Sequence, residues 1–277
     1  MNENINKIIC GDSLEVIKKF PNDCIDLMLC SPPYDGIRKY NGYSFDFENI
    51  VKELFRIIKI GGVVVWVIND EVINGSESGT SFKQALYFKE IGFNLHDTMI
   101  FKKKNPTPCN HNKYEQDFEF MFVFSKGKPK TFNPIKIKCK YANYLKHMDV
   151  RKLSNFNEDT KVNHRRTDYN IKEEKIKGNT WEYGIGWSVS TTDKNAFQHP
   201  AIFPDKLAED HIISWTNEND LVLDIFCGSG TTCKMAKLNR RKFIGIDISE
   251  DYCKIARERV NSVNELKIFK KDFDNNF

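Results

Sequence analysis

Residues 222–232 read VLDIFCGSGTT and join an apolar strand pattern to a helical pattern through two glycines, Gly228 and Gly230. Glycine lets the backbone turn tightly and approach a ligand closely. The third glycine of a dinucleotide-binding loop is missing, because Cys233 stands in its place, and the Gly-Lys-Ser/Thr of a phosphate-binding loop is missing as well. Asp247 ends the next strand pattern, where a carboxylate can accept hydrogen bonds from a ribose diol. The turn therefore predicts a site for a nucleotide-like ligand whose binding does not depend on phosphates.

Apolar strand patterns alternate with helical patterns on both sides of this turn. The predicted strands are 7–10, 25–30, 63–68, 95–101, 118–124, 221–226 and 243–248. The predicted helices are 13–20, 48–60, 81–91, 205–215 and two that begin near 231 and 250. Nearly continuous apolar strands are typical of parallel sheets with helices on both faces. We therefore expect an α/β fold with a doubly wound, mostly parallel sheet, whose ligands lie beyond the carboxyl ends of the strands.

The composition indicates a folded chain without a membrane segment. Of the 277 residues, 40% are hydrophobic and 13% aromatic, which excludes a disordered chain. The longest apolar run, 61–68, is far shorter than a membrane span, and the polar start lacks the features of a signal peptide. We expect a cytoplasmic protein without membrane contact. The eight cysteines include no C-x-x-C pair, so we expect neither a disulfide framework nor a metal site.

Positive charge is concentrated in one basic region, residues 126–177. This region contains 15 Lys and Arg but only 6 Asp and Glu, whereas the rest of the chain has an excess of negative charge. Aromatic residues are interspersed through it, and its secondary-structure patterns are irregular. Such a composition fits either a solvated basic loop or a surface that binds a polyanion such as nucleic acid. We interpret 129–198 as an insertion with a function of its own.

Ser31, Pro32, Pro33 and Tyr34 follow the predicted strand 25–30. Two consecutive prolines remove backbone donors and stiffen the chain, which can hold the Ser31 hydroxyl and the Pro32 carbonyl as acceptors aimed at one point. The Tyr34 ring can stack on a planar group. An exocyclic amine on a base is a poor nucleophile, and hydrogen bonds from its two N–H groups to such acceptors stabilise the charge that develops as it attacks. A plain proline turn after a strand is the alternative interpretation.

Together the two motifs resemble those of a known family. Ser-Pro-Pro-Tyr after an apolar strand, followed much later by Asp-x-Phe-x-Gly-x-Gly-Thr-Thr, is similar to the β class of S-adenosylmethionine-dependent DNA amino-methyltransferases. The resemblance covers about 7–128 and 199–260 and leaves the middle unmatched. It implies a Rossmann-like methyltransferase sheet with circularly permuted motif order. The implied parts are 1–128 with the catalytic motif, 129–198 as the inserted target-recognition region, and 199–277 with the cofactor motif.

The resemblance also implies which residues form the site. The implied catalytic residues are Ser31, Pro32, Pro33 and Tyr34. The residues implied to bind S-adenosylmethionine are Asp12, Phe203, Asp224, Phe226, Gly228, Gly230 and Asp247. Within this set, Asp247 binds the ribose, the turn at 224–230 holds the methionine part, and Asp12 contacts the adenine. Many members carry a lysine in place of Phe203. Asp12 also fits, independently of the resemblance, the start of a helix capping box. The candidate DNA contacts in the basic region are Arg151, Lys152, Arg165 and Arg166.

The implied reaction is methyl transfer from S-adenosylmethionine to an exocyclic amine of double-stranded DNA, with the target base flipped out of the helix. Members with serine at the position of Ser31 mostly methylate cytosine N4, whereas those with aspartate or asparagine mostly methylate adenine N6. We therefore expect cytosine N4, with adenine N6 as the alternative. The resemblance leaves open a cognate restriction endonuclease that acts on the same site, and either a monomer or a homodimer. Direct transfer needs no metal.

Three rival functions are separated from this one by the sequence or by experiment. A cytosine-C5 methyltransferase needs a nucleophilic cysteine after a proline at the end of the catalytic strand, and Pro32 is followed there by another proline. RNA and protein amide methyltransferases use similar proline loops, and the polymer that accepts the methyl group distinguishes them. A DNA-binding module with an inactive methyltransferase fold is distinguished by cofactor titration combined with an activity assay.

Overall fold

The computed structural model of the chain describes residues 1–33, 45–106, 108, 114–139, 172–199, 202–263 and 268. The strands are β1 (Lys7–Cys10), β2 (Ile25–Cys30), β3 (Ile58–Ile68), β4 (Val72–Ile73), β5 (Ser76–Glu77), β6 (Asn94–Lys103), β7 (Phe118–Ser125), β8 (Lys136–Lys138), β9 (Glu174–Ile176), β10 (Thr180–Tyr183), β11 (Leu221–Asp224) and β12 (Lys242–Asp247). The α-helices are α1 (Ser13–Ile17), α2 (Phe47–Ile57), α3 (Thr80–Ile91), α4 (Asp205–Trp215), α5 (Thr231–Leu238) and α6 (Glu250–Asn261).

Eight of these strands form one sheet in the order β1-β12-β11-β2-β3-β7-β6-β10. β7 runs antiparallel to β3 and β6, and the other neighbouring strands run parallel to each other. The predicted doubly wound, mostly parallel α/β sheet is confirmed. Because β2, β11 and β12 are parallel, their carboxyl ends meet at one edge, and the two sequence motifs follow those ends.

The central strand β3 is buried on both faces, as expected for a sheet between two layers of helices. Val64, Trp66 and Ile68 belong to the same core cluster as buried residues of α1, α2 and α3. Val63, Val65 and Val67, which alternate with these residues along β3, point to the opposite face of the sheet and are equally buried. The predicted helix 48–60 is too long, since α2 ends at Ile57 and the backbone of Ile58 is already extended.

The compact units of the chain differ from the predicted parts. One unit comprises 1–133 and 179–277, and the second comprises 134–178. β10 lies within the predicted insertion 129–198 but belongs to the first unit, where Trp181 pairs with Phe101 of β6. A four-residue strand whose partner lies far upstream has no local sequence signal. Within the second unit, β8 and β9 form an antiparallel pair.

Across the described residues, none of the helices combines the length and the apolar character needed to cross a membrane.

Candidate active site

A cavity of about 640 Å³ opens at the carboxyl edge of the sheet. This volume lies within the usual range for small-molecule sites. The predicted residues in its wall are Asp12, Ser31, Pro32, Pro33, Phe203, Asp224, Phe226, Gly228 and Asp247. Gly230 is the remaining predicted cofactor residue and is the N-cap of α5, next to the wall. The fold therefore brings together segments that are far apart in the chain.

The glycine turn requires glycine at two positions for both conformational and steric reasons. Gly228 and Gly230 have φ values of +47° and +80°, in the left-handed region. A Cβ on Gly228 would lie 2.7 Å from His199 Nε2. A Cβ on Gly230 would lie 2.9 Å from the Cα of Ala256 in α6, a backbone atom that cannot move aside easily. The turn thus packs closely on α6 and on His199, with Gly228 in the cavity wall.

Asp247 is held in place by two backbone amides. Its Oδ2 accepts a hydrogen bond from the Gly228 N–H at 2.8 Å, and its Oδ1 accepts one from the Ser249 N–H at 2.9 Å. Burial raises the pKa of Asp247, and the hydrogen bonds from these amides oppose that rise. Each carboxylate oxygen has a second lone pair. Asp247 is therefore fixed in orientation and still able to accept hydrogen bonds from a ligand in the cavity.

Asp224 ends β11 and is 5% exposed. Burial raises its pKa to about 7, while hydrogen bonds from the Thr232 side chain and the Phe226 amide act in the opposite direction. The Phe226 N–H donates to Asp224 Oδ1 at 3.1 Å. Near neutral pH, this carboxyl group is therefore present in both charged and neutral forms while it supports the start of the turn.

Asp12 caps α1, as the sequence predicts. Its side chain accepts a hydrogen bond from the Glu15 N–H at 3.0 Å. The neighbouring Ser13 hydroxyl donates to the carbonyl of Ile225 at 2.5 Å, which ties the start of α1 to the glycine turn. Asp12 also lines the cavity, so capping leaves it beside any bound ligand.

Ser31, Pro32 and Pro33 line the cavity directly after β2, while Tyr34 lies outside the described residues. An aromatic cluster supports the wall between this segment and the glycine turn. The Phe226 ring lies 5.0 Å from that of Phe45, in an edge-to-face arrangement. The four predicted DNA contacts, Arg151, Lys152, Arg165 and Arg166, also lie outside the described residues.

A buried charged network behind the glycine turn was missed by sequence reasoning. Arg259 of α6 is 2% exposed and donates hydrogen bonds to the Ser229 carbonyl at 2.7 Å and the Thr231 hydroxyl at 3.0 Å. Its guanidinium also pairs with Asp193 and Asp205, both at 3.1 Å. The guanidinium therefore connects the turn with the segment that leads into α4.

Lys234 of α5 completes this network. Its ammonium lies 2.6 Å from Asp193 and 2.8 Å from Asp205, so two positive side chains balance two negative ones. Buried charges are tolerated when they are paired in this way. Because the four residues come from distant parts of the chain, their spacing in the sequence gives no signal.

An ion pair in the cavity wall was also missed. Lys103, the last residue of β6, lies 2.9 Å from Glu119 of β7. Both residues line the cavity. In the sequence they look like ordinary ends of amphipathic strands, and only the antiparallel pairing of β6 and β7 brings them together.

Residues 25–258 match the family described as DNA methylase, which comprises N6 and N4 methyltransferases. The chain belongs to this family. It is 54% identical over 250 residues to the orphan methyltransferase M.BamHII of Bacillus amyloliquefaciens, a match that covers 89% of this chain and 92% of that protein. The expected class of enzyme, a DNA amino-methyltransferase with S-adenosylmethionine as its cofactor, is thus confirmed at the level of the family.

Two solved structures resemble the fold. The M1.HpyAVI–SAM complex aligns with a TM-score of 0.63 at 25% identity, covering 92% of this chain and 98% of that one. The PvuII DNA methyltransferase, described as cytosine-N4-specific, aligns with a TM-score of 0.65 at 23% identity, covering 95% of this chain and 89% of that one. These likenesses confirm the Rossmann-like methyltransferase fold.

Proposed function

We propose that this DNA methyltransferase transfers a methyl group to the N4 amine of cytosine in double-stranded DNA, and that it does so in the cytoplasm. The observation that carries the proposal is one cavity that contains both Ser31 and Pro32, after β2, and Asp247, at the end of β12. A cofactor held by Asp247 and an amine held by Ser31 and Pro32 would then lie in the same cavity. Methyl transfer depends on such proximity.

The glycine-turn end of the cavity fits S-adenosylmethionine. Asp247 would accept hydrogen bonds from the ribose hydroxyls, since two amides fix its carboxylate and leave lone pairs available. Asp12 would contact the adenine, and Phe203 would lie beside the methionine part. When bound, the cofactor supplies an electrophilic methyl group on a sulfonium.

The turn itself would hold the methionine part through its backbone. Gly228 gives the close approach, and Gly230 sets the angle at which α5 leaves the turn. Asp224 and Phe226 would support the turn from the strand side, because the Asp224 carboxylate accepts a hydrogen bond from the Phe226 amide.

The other end of the cavity would hold the amine. The Ser31 hydroxyl and the Pro32 carbonyl would each accept one of its N–H groups, and the Tyr34 ring would stack on the base. These residues would hold the amine so that its nitrogen lone pair could accept the methyl group that the bound cofactor would supply. The nitrogen becomes positively charged and releases a proton to water. Ser31 and Pro32 stabilise that charge by accepting hydrogen bonds.

Cytosine is favoured by the neutral side chain of Ser31. A hydroxyl can accept from the cytosine amine without bringing a charge into the pocket. Adenine N6 remains the alternative target, because its amine has the same local geometry.

DNA would be held by the basic region, with Arg151, Lys152, Arg165 and Arg166 contacting phosphates. A paired base cannot reach the methyl group, so the target nucleotide would be flipped out at a cost of a few kcal/mol. We also propose that the protein acts as a monomer or a homodimer, and that a cognate restriction endonuclease acts on the same DNA site.

Nucleoside mass spectrometry tests the proposal. Unmethylated genomic DNA is incubated with the protein and S-adenosylmethionine carrying a deuterated methyl group, then digested to nucleosides. We expect labelled N4-methylcytosine, its loss in Ser31→Ala, and its retention in the control Ser76→Ala, which changes a hydroxyl in the β4–β5 hairpin. Labelled N6-methyladenine as the main product would contradict the choice of cytosine, and unlabelled DNA would contradict the whole proposal.

A further inference from the structure

The cavity wall continues beyond Ser31 to the ion pair of Lys103 and Glu119. We propose that Lys103, oriented by Glu119, binds the ring edge of the target base while Ser31 holds its amine. Lys103 would then be a second base-binding residue and Glu119 a positioning residue. This inference rests on the proposed function and adds residues to the base-binding end of the cavity.

The pairing of β6 with β7 directs the side chains of Lys103 and Glu119 toward the cavity. Phe101 lies opposite Glu119, so these two side chains share one face of the sheet. Lys103 comes two residues after Phe101 and lies on the same face. All three line the cavity. Lys102 points to the opposite face, where it pairs loosely with Glu182 at 3.8 Å.

The distance across the sheet suits a single base. Ser31 follows β2 and Glu119 lies on β7, with β3 between these strands. Two strand spacings of about 4.8 Å separate their backbones by about 10 Å. Across such a gap, side chains from the two sides can reach neighbouring atoms on one edge of a planar base.

The partial burial of the pair favours a strong hydrogen bond to the base. The side chains of Lys103 and Glu119 are 15% and 17% exposed, so their contacts are shielded from water. An ammonium has three donors, of which Glu119 takes one. A second can point into the cavity, and a hydrogen bond from a charged donor is stronger than one between neutral groups.

The chemistry of the base matches this arrangement. Cytosine and adenine both carry a ring nitrogen with a free lone pair next to the carbon that bears the amine. With the amine donating to Ser31, that nitrogen is available to accept from Lys103. The carboxylate of Glu119 offsets the ammonium charge, so the pair does not repel the positive charge that moves from the sulfonium to the amine.

Steady-state kinetics with unmethylated genomic DNA, together with calorimetric titration of S-adenosylmethionine, test the inference. In Lys103→Met we expect kcat to fall roughly 10- to 150-fold, the factor that a charged hydrogen bond represents. The dissociation constant for S-adenosylmethionine should stay within twofold, because the cofactor end is unchanged. The matched control Lys102→Met removes a neighbouring lysine on the other face and should retain both values.

A charge swap separates base binding from a structural ion pair. Lys103→Glu combined with Glu119→Lys keeps the pair but moves the ammonium, so we expect wild-type melting temperature with kcat as low as in Lys103→Met. Recovery of kcat to within threefold of wild type would overturn the inference. If the swap does not fold, Lys103→Met decides: a loss of kcat at unchanged cofactor affinity supports the inference, and a parallel loss of kcat and cofactor affinity overturns it. A wild-type protein that methylates no DNA would instead refute the proposed function.

Discussion

The two ends of the cavity are held in shape by different means. At the cofactor end, the glycine turn rests on a buried network in which Arg259 binds the Ser229 carbonyl and pairs with Asp193 and Asp205. At the amine end, the chain leaves β2 directly into Pro32 and Pro33, whose rings restrict the backbone covalently. Changes at the cofactor end should therefore affect folding stability as well as binding, whereas changes at the amine end should affect methyl transfer alone.

The largest effect is expected from removing the guanidinium behind the glycine turn. Arg259→Met leaves Asp193 and Asp205 with one cation fewer in a buried site, and should lower the free energy of unfolding by about 3–5 kcal/mol. The control is Arg257→Met, which removes an arginine of the same helix that is 40% exposed and pairs with Glu250, and should cost less than about 1 kcal/mol. Urea denaturation measures both. Equal losses would show that the network does not support the turn.

A smaller effect is expected from a methyl group in the glycine turn. Gly230→Ala adds a Cβ against the backbone of Ala256 at a φ of +80°, and should destabilise by about 2–4 kcal/mol through strain and crowding. Gly75→Ala has a φ of +82° with nothing within 4 Å of the added Cβ, so it isolates the strain. Thermal and urea unfolding measure the loss of stability in each of the two variants. A loss at Gly230 no larger than at Gly75 would contradict close packing of the turn on α6.

The smallest effect concerns pH. The pKa of Asp224 is raised to about 7 by burial, above that of an unfolded aspartate, so the folded protein holds this proton more tightly. Its contribution to stability therefore falls as pH rises through 7, by about 1.4 kcal/mol between about pH 6 and pH 8. Asp224→Asn keeps a neutral side chain and should lack this part of the decline. Parallel pH profiles of unfolding free energy for the two proteins would contradict the assignment.

The sequence predicted the parts of the site whose signals are local. Gly228 and Asp247 belong to a strand, turn, helix and strand in direct succession, and Asp12 belongs to a capping pattern four residues long. The network of Arg259 and the ion pair of Lys103 have no such signal, because their partners meet only in the folded sheet.

The lack of a local signal also explains why the second compact unit, 134–178, is shorter than the predicted insertion, 129–198. The pattern of β10 is too short to predict a strand, and its basic, aromatic surroundings resemble the region that follows β7. Only its parallel pairing with β6 shows that it belongs to the main sheet. Sequence patterns therefore predict elements well and predict long-range partners poorly.

The most direct test of the account measures both ends of the cavity in the same two variants. Calorimetry gives the affinity for S-adenosylmethionine, and single-turnover transfer to unmethylated genomic DNA at saturating cofactor gives the rate. We predict that Asp247→Ala weakens affinity by roughly 1.5–3 kcal/mol with little loss of rate. Ser31→Ala should keep the affinity and lose roughly 100-fold or more in rate. If each variant lowers affinity and rate together, the division of one cavity into a cofactor end and an amine end is wrong.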